Sequence, residues 1–137
     1  MKTIEFDDFL KKNIEECFIN SSHDVMIWKI EGELYEIIAE GECCSSSWFE
    51  HCDDVSVLKN STLLGFETVG DPEKAEAVTT EVGPEHDIKV NMLRFTTDKG
   101  RCTIEFRNSS NGYYSGYTVI RRIHELPNNF SPMIQDF

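Results

Sequence analysis

Three β-prone runs that lie close together in the C-terminal half restrict the fold of this 137-residue chain more than any other feature. Two of them, residues 88–97 and 101–107, flank Asp98-Lys99-Gly100, a short glycine-containing connection that is typical of a β-hairpin. The third run, residues 117–123, follows a polar segment that contains two glycines. The pattern predicts three adjacent antiparallel strands at the centre of the fold.

A second hairpin is predicted upstream of these strands. Residues 25–30 and 34–39 both alternate apolar and polar side chains around Glu31-Gly32-Glu33. Residues 63–69 read as one more strand, which brings the sheet to five or six strands. We expect the apolar side chains that face the core to be Trp28, Ile37, Leu64, Phe95, Ile104, Phe106 and Ile120.

The N-terminal segment has the spacing of an amphipathic helix. Apolar residues recur there at intervals of three and four, and Asp7 and Asp8 suit a helix N-terminus: Ile4, Phe6, Phe9, Leu10, Ile14, Cys17 and Phe18. The predicted fold class is therefore α+β, an antiparallel sheet of five or six strands with the helix of residues 4–18 packed on one face.

The length of the chain suits one domain, residues 1–137, because one core of two layers fits this size. Residues 71–87 have few large apolar side chains and are predicted to form an acidic insertion or loop, and residues 124–137 an irregular tail. The chain opens with acids where a signal peptide needs apolar residues, and it has no long apolar run. We expect a soluble cytoplasmic protein whose five cysteines are reduced.

The net charge of −12 is concentrated in the middle of the chain. Residues 1–30 carry 4 basic and 6 acidic side chains, residues 31–87 carry 2 and 15, and residues 88–137 carry 7 and 4, which gives −2, −13 and +3. Such a field repels nucleic acid and anionic membranes and favours a basic partner, so we expect no direct nucleic-acid or membrane binding. Solubility alone is the alternative explanation.

One short stretch holds the only dense group of metal-ligand residue types: Cys43, Cys44, His51 and Cys52. Its spacing is poor for zinc, because adjacent cysteines on a strand point to opposite faces. We therefore expect structural cysteines, no metal and no cofactor, with a metal site of these four residues as the alternative. A cysteine nucleophile paired with His51 lacks an oxyanion-hole signature, and we expect no enzyme activity.

The polar segment of residues 107–116 is more elaborate than a turn requires. Asn111-Gly112 can supply the positive φ angles of a turn, whereas Tyr113 and Tyr114 are not needed for it. Paired tyrosines beside small polar residues form recognition surfaces in many binding proteins. The alternative is that the two rings fold back to cover a sheet edge.

Four short motifs carry a resemblance to a small uncharacterised domain family of phages and bacteria, with a cysteine pair and a Ser-Asn-Gly-Tyr-Tyr-Ser motif. They are Cys43-Cys44, LRFTTDKG at 93–100, TIEF at 103–106 and SNGYYS at 110–115. The similarity spans about residues 25–123 and departs from the family pattern at Phe106, Gly116 and the acidic segment. It implies a mixed α+β domain in a phage or bacterial host cell, without an activity.

Two functions follow from the charge and this resemblance. The first is a non-catalytic phage inhibitor, a nucleic-acid mimic that binds the basic surface of a host defence protein such as a CRISPR effector, which makes anti-CRISPR and anti-defence activity the expectation. Its binding residues would be Glu73, Glu76, Glu81, Glu85, Asp87, Tyr113 and Tyr114.

The second function is that of a nucleotide-like small-molecule binding protein or enzyme. Its ligand-binding residues would be Arg107, Asn111, Tyr113, Tyr114 and Arg121, with Arg122 as an alternative to Arg121.

Overall fold

A computed structural model describes residues 3–41, 45–70, 87–110 and 116–134. Within these ranges the protein is built from β-strands and two short 3₁₀ helices, Phe6–Phe9 and Val55–Val57. The α+β prediction is therefore wrong. The nine strands are β1 Asn13–Asn20, β2 Val25–Ile30, β3 Glu33–Gly41, β4 Ser46–Cys52, β5 Ser61–Gly70, β6 Asp87–Thr97, β7 Gly100–Ser110, β8 Gly116–Ile123 and β9 Phe130–Pro132.

The predicted N-terminal helix is replaced by a 3₁₀ turn and a strand. Phe6 and Phe9 are three residues apart and both buried, as the period of a 3₁₀ helix allows. Lys11 has a φ of +68°, which an α-helix does not tolerate. In β1 a bulge between Ile14 and Glu16 puts Ile14 and Cys17 on the same buried side, so their helix-like spacing comes from a bulged strand.

The strands form one antiparallel sheet in the order β4-β7-β6-β5-β1-β2-β3-β8, with β9 paired to β1. Both predicted hairpins are present: β2–β3 turns at Glu31-Gly32, where both φ angles are positive, and β6–β7 turns at Asp98-Lys99. β8, however, pairs along its whole length with β3 and not with β7. The prediction of three adjacent C-terminal strands is therefore correct for β6 and β7 only.

Only two residue pairs join β5 to β1, and aromatic rings from the two sides of this junction contact each other, so the sheet bends there. On one side of the bend lies the first half of the sheet (β1, β2, β3, β8 and β9), and on the other the second half (β4 to β7). The Trp28 ring of the first half lies 5.0 Å from the Phe95 ring of the second, and Phe6 contacts both rings. The two halves therefore enclose a common aromatic core.

Six of the seven predicted core residues are buried, and Leu64 is not. Trp28, Ile37, Phe95, Ile104, Phe106 and Ile120 are at most 6% exposed. Leu64 is 56% exposed while Leu63 is fully buried. A bulge between Leu63 and Gly65 shifts the alternation of β5 by one residue. The prediction that Leu64 faces the core is therefore wrong.

The C-terminal segment is partly integrated into the fold. β9 pairs with the end of β1, and the Met133 backbone N–H donates to the Cys17 carbonyl at 2.9 Å. Met133 is fully buried in the main core. The segment of residues 124–137, predicted as an irregular tail, thus contains a short strand that rejoins the sheet.

Candidate interaction end of the sheet

Six strand termini meet at one end of the molecule, which we call the loop end: Gly41, Ser46, Gly70, Asp87, Ser110 and Gly116. The strand register sets this arrangement, since Gly41 pairs with Gly116, Ser46 with Ser109, and Asp87 with Ser110. Gly70 pairs with Asn91, four residues along β6 from Asp87. The termini that flank residues 42–44, 71–86 and 111–115 are therefore all found at the same end.

Most of the binding residues predicted from the sequence lie outside the described residues. These are Glu73, Glu76, Glu81, Glu85, Asn111, Tyr113 and Tyr114, together with Cys43 and Cys44. Asp87 is the first residue of β6, and its backbone belongs to the loop end. What the structure adds is the position of the strand ends on either side of the acidic and tyrosine-containing segments.

A buried polar network supports the loop end from below. The Asn108 side chain is 1% exposed, and its Nδ2 donates to Ser47 Oγ at 2.8 Å and to Ser45 Oγ at 3.2 Å. Ser47 Oγ in turn donates to the Glu40 carbonyl at 2.7 Å. These bonds tie β4 and β7 of the second half to β3 of the first, so both halves of the sheet are held together at this end.

Gly116 occupies a position that has no room for a side chain. A Cβ atom there would lie 2.4 Å from Ser47 Oγ and 2.8 Å from the Phe106 ring. β8 therefore starts pressed against β4 and β7 and then pairs with β3, which is how the chain crosses from one half of the sheet to the other. Close approach of backbone to neighbouring atoms is a common reason for glycine in a strand.

A hollow of about 370 Å³ opens beside Gly116 at the loop end. Its apolar side is formed by Leu93 and Phe106, and among the described residues its polar lining includes one carboxylate, Glu5, and no Lys or Arg. Tyr117, at its rim, is 50% exposed. The sequence predicts Tyr117 only as a strand residue, although its place next to a glycine at a strand start marks it as another aromatic at the same end.

The two arginines of the predicted nucleotide site are not brought together. Arg107 lies in the second half of the sheet, where Glu105 accepts from its Nη2 at 3.2 Å and Glu50 lies 4.0 Å from its Nη1. Arg121 lies in the first half and pairs with Glu36 at 2.6 Å. Each guanidinium is therefore already partnered by carboxylate on a different half of the sheet.

His51 and Cys52, two of the four alternative metal ligands, point to opposite sides of β4. Cys52 is fully buried in the core, where its Sγ lies 3.5 Å from Cys102 Sγ. His51 is partly exposed and lines a shallow hollow with Asp53 and Glu105. In the part of the chain that the structure describes, no group of three His, Cys, Asp or Glu side chains could hold a metal ion.

Buried thiols elsewhere in the core are poor nucleophiles. Burial raises the pKa of Cys17 well above its usual value. The hydrogen bond with Cys52, together with burial, does the same to the pKa of Cys102. Since the thiolate is the reactive form, the buried thiols of Cys17 and Cys102 do not suit covalent catalysis.

Comparison with known proteins identifies relatives of unknown activity. A family model described as a domain of unknown function, DUF7448, matches residues 7–120. An uncharacterised protein, L278 of Acanthamoeba polyphaga mimivirus, is 30% identical over 118 residues, which cover 83% of this chain and 90% of that protein. No solved structure matches the chain.

These comparisons confirm an uncharacterised small domain and correct its predicted setting. The relative belongs to a virus of amoebae, so the phage origin and the anti-CRISPR activity inferred from it have no support. Across the described ranges, no helix is long and apolar enough to cross a bilayer. The cytoplasmic location stays a prediction.

Proposed function

Because this chain belongs to the DUF7448 family, to which no activity is attached, we propose its function from its own geometry: a non-catalytic domain that binds a basic protein surface through the loop end. The observation that carries this proposal is the convergence of six strand termini at that end. It gives the acidic segment of residues 71–86 and the tyrosine-containing segment of residues 111–115 a common point of attachment, although they are distant in sequence.

Charge supports a basic partner. Residues 71–86 contain five acidic side chains and one lysine. The hollow beside Gly116 lies at the same end. Its described lining contains the carboxylate of Glu5 and no Lys or Arg. Complementary charge raises the association rate and disfavours acidic partners, although each exposed ion pair adds only about 0 to 1 kcal/mol.

Aromatic residues supply the part of the affinity that charge does not. A stable complex needs a desolvated centre, and Tyr and Trp are the usual anchors. Tyr113 and Tyr114 belong to the segment attached at this end, and Tyr117 stands half exposed at the rim of a hollow whose apolar side is Leu93 and Phe106. We expect a partner that combines lysines or arginines with an apolar side chain able to enter this hollow.

The test is carbodiimide cross-linking in a lysate of the source cells, followed by mass spectrometry, since this reagent joins carboxylates to lysines in direct contact. Reversing Glu73, Glu76 and Glu81 to Lys changes the net charge from −12 to −6. The matched control reverses the exposed Asp7, Glu31 and Glu125 by the same amount. We expect the first variant to lose the basic partner and the control to keep it.

A change of salt concentration and a tyrosine double variant test the contributions of charge and of the aromatic residues separately. The partner's affinity should fall between 0.1 M and 1 M salt, where the Debye length shortens from about 10 Å to about 3 Å. Equal retention of the partner by the parent and by the charge-reversed variant would show that the acidic segment is not the binding surface. Loss of binding only in Tyr113→Ala/Tyr114→Ala would instead favour the second candidate, a nucleotide-like ligand held by the polar segment.

A further inference from the structure

A second cavity lies far from the loop end, on the outer face of the first half of the sheet. It measures about 350 Å³ and is lined by β1, the β2–β3 turn, the end of β8 and the segment that follows it. Gly32 and Glu33 mark the end of β3 opposite to Gly41, so this cavity and the loop end occupy opposite ends of the same strands. The lining residues are Glu16, Phe18, Lys29, Gly32, Glu33, Leu34, Arg122, Ile123, His124 and Leu126.

The walls of this cavity are held in place by hydrogen bonds that two backbone N–H groups of the β2–β3 turn donate. The Glu31 N–H donates to the Asn13 carbonyl at 3.1 Å, and the Gly32 N–H donates to Glu15 Oε2 at 2.5 Å. The tight β2–β3 turn is thus fixed to the start of β1. A pocket with preformed walls loses less conformational entropy when a ligand binds.

One side of the cavity is apolar and incompletely covered. Phe18, Leu34 and Ile123 are only partly buried, and Leu126 is 38% exposed. They come from three strands and the segment after β8, and they converge on the same space. Apolar surface that a protein leaves open inside a concave site is the usual lining of a small-molecule pocket.

Three basic side chains converge on the same cavity, in a chain whose net charge is −12: Lys29, Arg122 and His124. Arg122 uses its Nε to pair with Glu33. Among the described residues, the side chains of Lys29 and His124 have no hydrogen-bond or ion-pair partner, and the Arg122 side chain has none besides Glu33. Of the two lining carboxylates, Glu33 is therefore already engaged by Arg122, and Glu16 stands opposite Lys29 in the strand register.

We propose that this cavity binds a small organic anion, with an apolar or aromatic body against Phe18, Leu34 and Leu126 and a carboxylate or phosphate group against Lys29, Arg122 and His124. Arginine offers a planar pair of donors to either anion, and lysine adds a point charge. The volume of the cavity suits a body of one or two rings. This site is independent of the surface at the loop end.

Titrating the ¹⁵N-labelled full chain with phenyl phosphate, followed by NMR, tests the proposal. We expect saturable shifts confined to the cavity residues. Benzoate takes the place of phenyl phosphate in a parallel titration and decides between the two head groups. Inorganic phosphate and benzyl alcohol should bind more weakly, because each lacks half of the ligand. Benzylamine, the cationic counterpart, should not bind.

Two neighbouring arginines provide a matched pair of variants. Arg122→Ala should weaken binding of the better anion about tenfold or more, the loss expected for a charge-assisted hydrogen bond. Arg121→Ala removes a similarly exposed arginine of the same strand, β8, which pairs with Glu36 of β3, and it should leave binding unchanged. Circular dichroism checks that both variants are folded.

Three results would overturn the proposal: no saturable binding of either anion, equal binding of benzylamine, or equal losses in the two arginine variants. None of these results bears on the proposed protein-binding surface at the loop end, because the cross-linking experiment does not substitute Arg121 or Arg122. Conversely, loss of the basic partner's binding in the charge-reversed variant leaves the cavity unaltered.

Discussion

At the scale of single residues, the core thiols show how burial removes chemistry that the sequence suggests. Cys17, Cys52 and Cys102 are each at most 1% exposed. Desolvation disfavours the thiolate, and the pKa of Cys17 and of Cys102 is raised in the folded protein. In the unfolded chain both thiols ionise near their ordinary pKa, about 8.5. These cysteines therefore act as small apolar residues of the core.

This difference predicts a loss of stability at alkaline pH. Below the unfolded pKa both states keep the proton, so the contribution to stability is complete there. Above it, only the unfolded state loses the proton, and the free energy of unfolding falls by about 1.4 kcal/mol per pH unit for each thiol. Urea unfolding with reductant present should thus show lower stability at pH 10 than at pH 8.

The Cys17→Ala variant isolates the contribution of one thiol. Its stability at pH 8 falls because a buried atom is removed, but its further loss between pH 8 and pH 10 should be smaller than that of the parent by about 2 kcal/mol. An unchanged pH dependence in the variant would show that Cys17 does not keep its proton on folding.

At the scale of elements, bulges decided which side chains entered the core. β1 has a bulge after Ile14, and β5 has one between Leu63 and Gly65. A bulge inserts one residue into a strand and so exchanges the two faces beyond it. In β1 this exchange produces an apolar spacing that resembles that of a helix. In β5 it leaves the Leu64 side chain on the exposed face.

Two alanine substitutions test this assignment of faces. Ile104 is fully buried in β7, so Ile104→Ala should lower the free energy of unfolding by about 2 to 5 kcal/mol. Leu64 is 56% exposed, and Leu64→Ala should change stability by about 0.5 kcal/mol or less. Comparable losses in the two variants, measured by urea unfolding, would contradict the register of β5.

At the scale of the whole molecule, the described strands form a continuous sheet with a common core that residues 71–86 do not interrupt. β5 and β6 pair from Leu63–Thr97 to Gly70–Asn91. From Asn91, β6 continues four residues to Asp87, about 13 Å along the strand. A flexible linker of eight Gly and Ser residues spans about 15 Å on average, enough to join Gly70 to Asp87.

Replacing residues 71–86 with such a linker should therefore leave the fold intact. The melting temperature should stay within a few degrees, since a change in loop length costs only about 0.6 kcal/mol per doubling. The far-ultraviolet circular dichroism should remain that of a β protein. The same variant should lose the basic partner, because five of the acidic side chains are removed with the segment. Unfolding of the variant would show that the segment is part of the core.

Local patterns in the sequence determined the two hairpins and six of the seven predicted core positions. Both hairpins have two-residue turns, and Gly32 and Gly100 adopt positive φ angles of 83° and 141°. Such turns are encoded by residues that are adjacent in the chain. The alternation of apolar residues in β2, β6 and β7 likewise needs only the period of an extended strand.

Only the tertiary structure decided the strand order, the bulges and the sites. β8 pairs with β3 and not with β7. Its first residue, Gly116, lets the backbone pass close to Ser47 and Phe106, and these contacts join residues that are far apart in sequence. Arg122, Lys29 and His124 converge on one cavity although β2 and β8 are separated by most of the chain. Local periodicity carries no information about such pairings, since they depend on which sheet edges meet when the core closes.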